Sequence, residues 1–118
     1  MSERALSLLI VEDEAMIRML LCDMIEELGH TVAGQAARIT EAVDLVNTGI
    51  AFDAAILDLN LAGEPALPVA EAIDARAIPF IFATGYGTTG VPEQFRARPV
   101  LQKPYAIDSL ERALKTLR

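Results

Sequence analysis

One cysteine, one histidine and no long apolar run limit what this 118-residue chain can be. Cys22 stands alone, so no internal disulfide can form; a reducing compartment is expected, with the thiol used for packing. His30 has no second histidine or cysteine near it, which disfavours zinc and leaves a solvated residue in a helix-to-strand turn as the expectation. No apolar run approaches the ~20 residues of a membrane span. Met1-Ser2-Glu3-Arg4 leads into a run that meets Glu12-Asp13-Glu14, unlike a secretory signal. A cytoplasmic protein is expected. Basic residues are scarce as well: 10 Lys and Arg face 17 Asp and Glu, a net charge of -7. That field repels polyanions, so nucleic acid is not an expected partner, whereas a basic surface or bound cations are favoured. No internal repeat, low-complexity segment or linker is visible.

What is present is a core. Hydrophobic residues make up 53% and charged residues 23%, the balance of a globular domain. A chain of this length buries roughly two-thirds of its unfolded surface in one core. Residues 1-118 are therefore expected to be one domain, with no room for a second, output domain.

Ala54-Ala55-Ile56-Leu57 lacks the alternation of a half-wet strand and is too short for a helix. It reads as a central strand buried on both faces, and it ends on Asp58. Leu6 to Val11 is a similar run ending in Glu12-Asp13-Glu14. Ile17, Leu20, Leu21, Met24, Ile25 and Leu28 then recur with helical period, with Met16, Met19 and Met24 packing on or beside that stripe and Gly29 as the stop. Thr31 to Gln35, with a glycine inside it, is expected as a short edge strand. Ile39, Ala42, Val43 and Val46 mark a second helix. After Leu61 comes a turn, Ala62-Gly63-Glu64-Pro65, and then a third helix through Ala66, Val69, Ala70, Ile73 and Ala77. Ile78 to Ala83 is a fourth strand ending at Thr84. The breakers from Gly85 to Pro92 leave room only for a short fourth helix around Glu93 to Ala97. Pro99 to Gln102 is a fifth strand ending at Lys103, and Ile107, Leu110, Ala113, Leu114 and Leu117 trace a last helix. Five alternations predict an α/β fold: a doubly wound, five-stranded parallel sheet, flavodoxin-like, of strand order 2-1-3-4-5, with helices on both faces.

In that order Glu12, Asp13, Asp58, Thr84 and Lys103 share one crevice at the carboxyl ends of neighbouring strands. Each has an ordinary alternative as a cap or loop residue. Together they do not, because carboxylates about 5 Å apart repel by roughly 3 kcal/mol per pair at an effective dielectric of 20. Lys103 supplies one positive charge against three negatives, and a hard divalent cation such as Mg2+ supplies the other two. A metal held by carboxylates beside a hydroxyl and an ammonium suits a phosphoryl group, which makes Asp58 a candidate nucleophile forming an aspartyl phosphate.

Val11-Glu12-Asp13-Glu14, Leu57-Asp58-Leu59-Asn60, Ala83-Thr84-Gly85 and Lys103-Pro104 together resemble the receiver domains of two-component response regulators, over essentially the whole chain. The resemblance implies phosphorylation of Asp58 by a histidine kinase. It implies Asp13 and Asp58 as direct Mg2+ ligands, Glu12 acting mostly through water, and Asn60 adding its backbone carbonyl. It also implies Thr84 and Lys103 on the phosphoryl group, and a cis Lys103-Pro104 bond. Most receivers carry an aromatic switch residue three positions before the lysine, where this chain has Val100. Phe82-Ala83-Thr84-Gly85-Tyr86-Gly87 instead resembles the signature of the FAT GUY subgroup of single-domain receivers. Tyr86 is accordingly expected to share the switch with Thr84.

The expectation is a stand-alone response regulator that catalyses its own phosphorylation and dephosphorylation but is primarily a signalling protein. Its partners would be a histidine kinase and a downstream signalling protein or phosphotransferase, and the face of the last helix, last strand and Tyr86 loop is the expected partner surface. A phosphate sink, a phosphotransfer shuttle and an unphosphorylated pseudo-receiver remain alternatives. A haloacid dehalogenase-type hydrolase would want a second acid where Asn60 stands. A nucleotide or flavin binder would want a glycine-rich loop where Glu12-Asp13-Glu14 stands.

Overall fold

The apolar runs become strands whose alternate residues serve two different cores. In the computed structural model, which describes residues 5-85 and 91-117, the order is β1 (Ser7–Val11), α1 (Ala15–Glu27), β2 (Thr31–Ala36), α2 (Ile39–Asn47), β3 (Ala54–Asp58), β4 (Asn60–Leu61), β5 (Glu64–Pro65), α3 (Leu67–Ala75), β6 (Phe80–Thr84), a 3-10 turn (Glu93–Phe95), β7 (Val100–Gln102) and α4 (Ile107–Lys115). The main sheet is parallel throughout, in the order β2-β1-β3-β6-β7. This is the predicted doubly wound arrangement. Leu9, Val11, Ala55, Leu57, Phe80 and Phe82 face a core shared with α2 and α3, while Leu8, Ile10, Ala54, Ile56, Ile81 and Ala83 face one shared with α1 and α4. Burial on both faces is why the strands show no polar alternation. Among the described residues, no helix is long and apolar enough to cross a membrane.

Several local expectations need correction. The stripe on α1 is wider than the sheet it covers: Leu21 and Ile25 are fully buried, but Met16, Met19 and Leu20 are 79%, 61% and 52% exposed. Ile17 and Leu20 instead flank Pro104 and Tyr105 around a small pocket. His30 is buried, not solvated, and its Nδ1 accepts the Leu6 N–H at 2.9 Å. Helix α3 stops at Ala75, and Ala77, expected on its stripe, lies beyond it in an exposed left-handed conformation (φ 57°). The turn after Leu61 closes a two-stranded antiparallel hairpin, β4 with β5, around Ala62 (φ 52°) and Gly63 (φ 85°). Two consecutive positive φ angles are what a two-residue hairpin loop requires.

The short fourth helix is only the 3-10 turn Glu93–Phe95, confined by Pro92 and Pro99. Its anchor is Phe95, buried against Phe80 and Phe82 at ring-centroid distances of 5.4 Å and 6.0 Å. Arg98 lies 4.6 Å above the Phe80 ring and pairs with Asp74, tying this turn to α3. Val100, at the position of the usual aromatic, pairs with Phe82 and is half-buried against the same core.

Candidate functional site

Strands β1, β3, β6 and β7 deliver residues at or just beyond their carboxyl ends to one cavity of about 420 Å³. Its wall includes Asp13, Asp58, Asn60, Thr84 and Lys103. Glu12 belongs to the same cluster but lies outside that wall: it is 1% exposed, and its carboxylate is within 4.8 Å of those of Asp13 and Asp58.

Lys103 holds the cluster together. Its Nζ donates to Asp58 Oδ2 at 2.7 Å and to Glu12 Oε1 at 2.8 Å. Its backbone N–H donates to the Thr84 carbonyl at 2.8 Å, fixing β7 against the end of β6. Burial opposes the ammonium charge, but the bonds to Asp58 and Glu12 outweigh it and raise the Lys103 pKa above its usual value. Lys103 stays charged at any working pH.

The acids differ in how they are held. Glu12 Oε2 accepts the Glu14 N–H at 3.1 Å, and Oε1 accepts the Tyr105 hydroxyl at 3.4 Å as well as Lys103. Burial dominates here and, with the charge of Asp58, lifts the carboxyl from 4.5 to about 7 despite those donors. Asp13 is the opposite case: burial pushes its pKa up, but hydrogen bonds, the Ala62 N–H on Oδ2 at 3.0 Å foremost, bring it below the ordinary value. The left-handed Ala62 thus aims its N–H at an acid, a use of local strain found at working sites. Asp58 Oδ1 accepts the Asn60 N–H at 3.2 Å. Thr84 is 4% exposed at the end of β6. Burial, followed by the charges of Glu12 and Asp58, pushes the Tyr105 phenol well above its usual range, so it remains a donor. The Lys103-Pro104 bond is cis, as the resemblance implies.

Known proteins point the same way. The response regulator receiver domain family matches residues 8–115. The chain belongs to this family. It is 32% identical over 111 residues to the transcriptional regulatory protein PdtaR of Mycobacterium tuberculosis (strain H37Rv), covering 91% of this chain and 54% of PdtaR. The chain thus spans about half the length of that relative. The solution structure of SdrG from Sphingomonas melonis Fr1 is 48% identical with a TM-score of 0.84, covering 96% of each chain. The BeF3-activated conformation of SdrG from Pseudomonas melonis Fr1 is 48% identical with a TM-score of 0.81, covering 94% of each.

Receiver domains bind Mg2+, and the donor set here fits it. Glu12, Asp13 and Asp58 offer hard oxygen ligands at a spacing one small divalent ion can bridge, with no sulfur or imidazole in the cluster. Of the residues expected at the site, Glu12, Asp13, Asp58, Asn60, Thr84 and Lys103 do converge. Tyr86 lies outside the described residues. Four contributors escaped the sequence reading: the backbone N–H groups of Glu14, Asn60 and Ala62, and the Tyr105 hydroxyl. Of these only Tyr105 carries a signal in the sequence that could have found it, as a polar aromatic two residues after Lys103.

Proposed function

We propose that this receiver domain accepts a phosphoryl group on Asp58 from a histidine kinase in a Mg2+-dependent reaction, and signals through protein contacts. The observation that carries this reading is the Lys103 ammonium, bonded at once to Asp58 and Glu12 beside a cavity with Thr84 in its wall. Asp58 has a carboxylate oxygen to offer phosphorus. As its bond forms, the bond from phosphorus to the histidine nitrogen breaks. Lys103 turns to the transferring oxygens, the Thr84 hydroxyl donates to another, and the Asn60 N–H keeps the Asp58 carboxylate in place. Asp13, Asp58 and the Asn60 carbonyl would hold Mg2+, with Glu12 acting through water, and the ion would supply the positive charge that offsets the excess of carboxylates. The likeness to a protein with a BeF3-activated conformation supports the reading.

The exposed Met16, Met19 and Leu20 form an apolar face on the end of α1 nearest the acids. We assign it to the incoming phosphodonor protein, because it adjoins the acceptor. The β7 and α4 face, with a groove lined by Val100, Gln102, Arg112 and Thr116, is left for the downstream partner, and Tyr86 with Thr84 for the switch. The test is intact mass after incubation with acetyl phosphate. One added phosphoryl group, lost in EDTA and in Asp58→Asn, is expected. A gain that persists in Asp58→Asn would overturn the assignment.

A further inference from the structure

Lys103 has three N–H donors, but two demands pull its ammonium in different directions. It spans Glu12 Oε1 at 2.8 Å and Asp58 Oδ2 at 2.7 Å, yet under the function proposed above it must turn to the phosphoryl oxygens on Asp58. Glu12 is 1% exposed, so beyond the metal-bound water assigned to it bulk water cannot easily replace the donor that Oε1 would lose, and a buried acceptor left unmatched is costly. The Tyr105 hydroxyl stands 3.4 Å from that same oxygen. An O–H···O bond is usually about 2.7–2.8 Å long, so this donor is in reach but only weakly engaged.

We propose that Tyr105 is a positioning residue for phosphoryl transfer, its hydroxyl closing on Glu12 Oε1 as Lys103 leaves for the phosphoryl group. Glu12 then keeps its place among the acids throughout the reaction. The inference rests on Asp58 being the phosphoacceptor. The ring is already anchored: Tyr105 packs against the core under α1 and α4 and, with Ile17, Leu20 and Pro104, walls a pocket of about 70 Å³. A shift of well under 1 Å brings the hydroxyl to full hydrogen-bond distance. Phenylalanine would keep the packing and lose only the donor.

The experiment follows phosphorylation of the full chain by acetyl phosphate at saturating Mg2+, read as a time course of intact mass. An Asp58 oxygen bonds to phosphorus while the phosphorus–oxygen bond to acetate breaks; acetate leaves with the electron pair, and nothing is oxidised or reduced. Tyr105→Phe should react about tenfold more slowly, the size expected for one hydrogen bond to a charged acceptor. The Mg2+ affinity of the unphosphorylated variant should stay close to wild type, because Lys103 still holds Glu12 there. Its melting temperature in EDTA should not change. In a Glu12→Ala background, which leaves the hydroxyl no acceptor, the second substitution should add nothing. Equal rates for wild type and Tyr105→Phe would overturn the proposal. So would an equal slowing in both backgrounds, or a melting temperature that falls with the rate, since either marks a packing role. A wild-type chain that takes no phosphoryl group would instead bring down the phosphoacceptor reading, and the inference with it.

Discussion

Replacing Glu12 with glutamine should make the metal-free protein more stable. Burial raises the Glu12 carboxyl from 4.5 to about 7. Across that window the folded chain binds the proton more tightly than the unfolded chain, so stability falls as pH rises from 4.5 to about 7 and is level above it. At about 1.4 kcal/mol per unit of displacement, the ionised carboxylate costs roughly 3 kcal/mol at pH 8. Glutamine keeps an oxygen for Lys103 and cannot ionise. Urea unfolding in EDTA should therefore find Glu12→Gln close to wild type at pH 5 and ahead of it by roughly 3 kcal/mol at pH 8. Excess Mg2+ should narrow or reverse the gap, because the wild type retains the charge that attracts the ion. A variant less stable than wild type at pH 8 in EDTA would refute the reasoning, since Glu12 would then be a net stabilising anion.

Other perturbations separate the scaffold from the site. Ala62→Gly should raise stability by roughly 0.5–1 kcal/mol in thermal melts, because φ 52° is strained for alanine, while the N–H to Asp13 is kept. Burial lowers the His30 pKa below 6.5, and its neutral Nδ1 accepts the Leu6 N–H, so this contribution to stability is present above pH 6.5 and is lost as pH falls through that value towards the folded pKa. His30→Gln should remove that slope from urea titrations between pH 5 and 7, and an unchanged slope would contradict the assignment. Phe95→Ala should cost about 3 kcal/mol by chemical unfolding, because it removes the ring that holds the 3-10 turn against Phe80 and Phe82. Met16→Asp should leave stability within about 0.5 kcal/mol, because Met16 is 79% exposed, but should slow transfer from a phosphorylated kinase.

The sheet and most of the site were legible because the same residues carry both signals. Val11, Asp58, Thr84 and Gln102 close their strands, and the groups that converge stand at or just beyond those ends. Parallel connectivity then brings Glu12, Asp13, Asp58, Thr84 and Lys103 together without any long-range information. What periodicity could not convey was coverage. It placed Leu20 with Leu21 and Ile25 but could not show that the sheet reaches only the latter two. Two-residue strands such as Asn60–Leu61 have no period to read. The burial of His30 depends on a donor 24 residues away, and the Tyr105 contact with Glu12 spans 93 residues. Breakers predicted a short element before Pro99, but the packing of Phe95 decides where it sits.

The central claim is that Asp58 carries the phosphoryl group, and hydride trapping tests it most directly. Borohydride reduces an aspartyl phosphate to homoserine, so peptide mass spectrometry after treatment with acetyl phosphate and Mg2+ reads the modified position itself. Homoserine is expected at position 58 alone, with none when EDTA replaces Mg2+. Homoserine at position 13, or at no position in a chain that has gained phosphoryl mass, would contradict it.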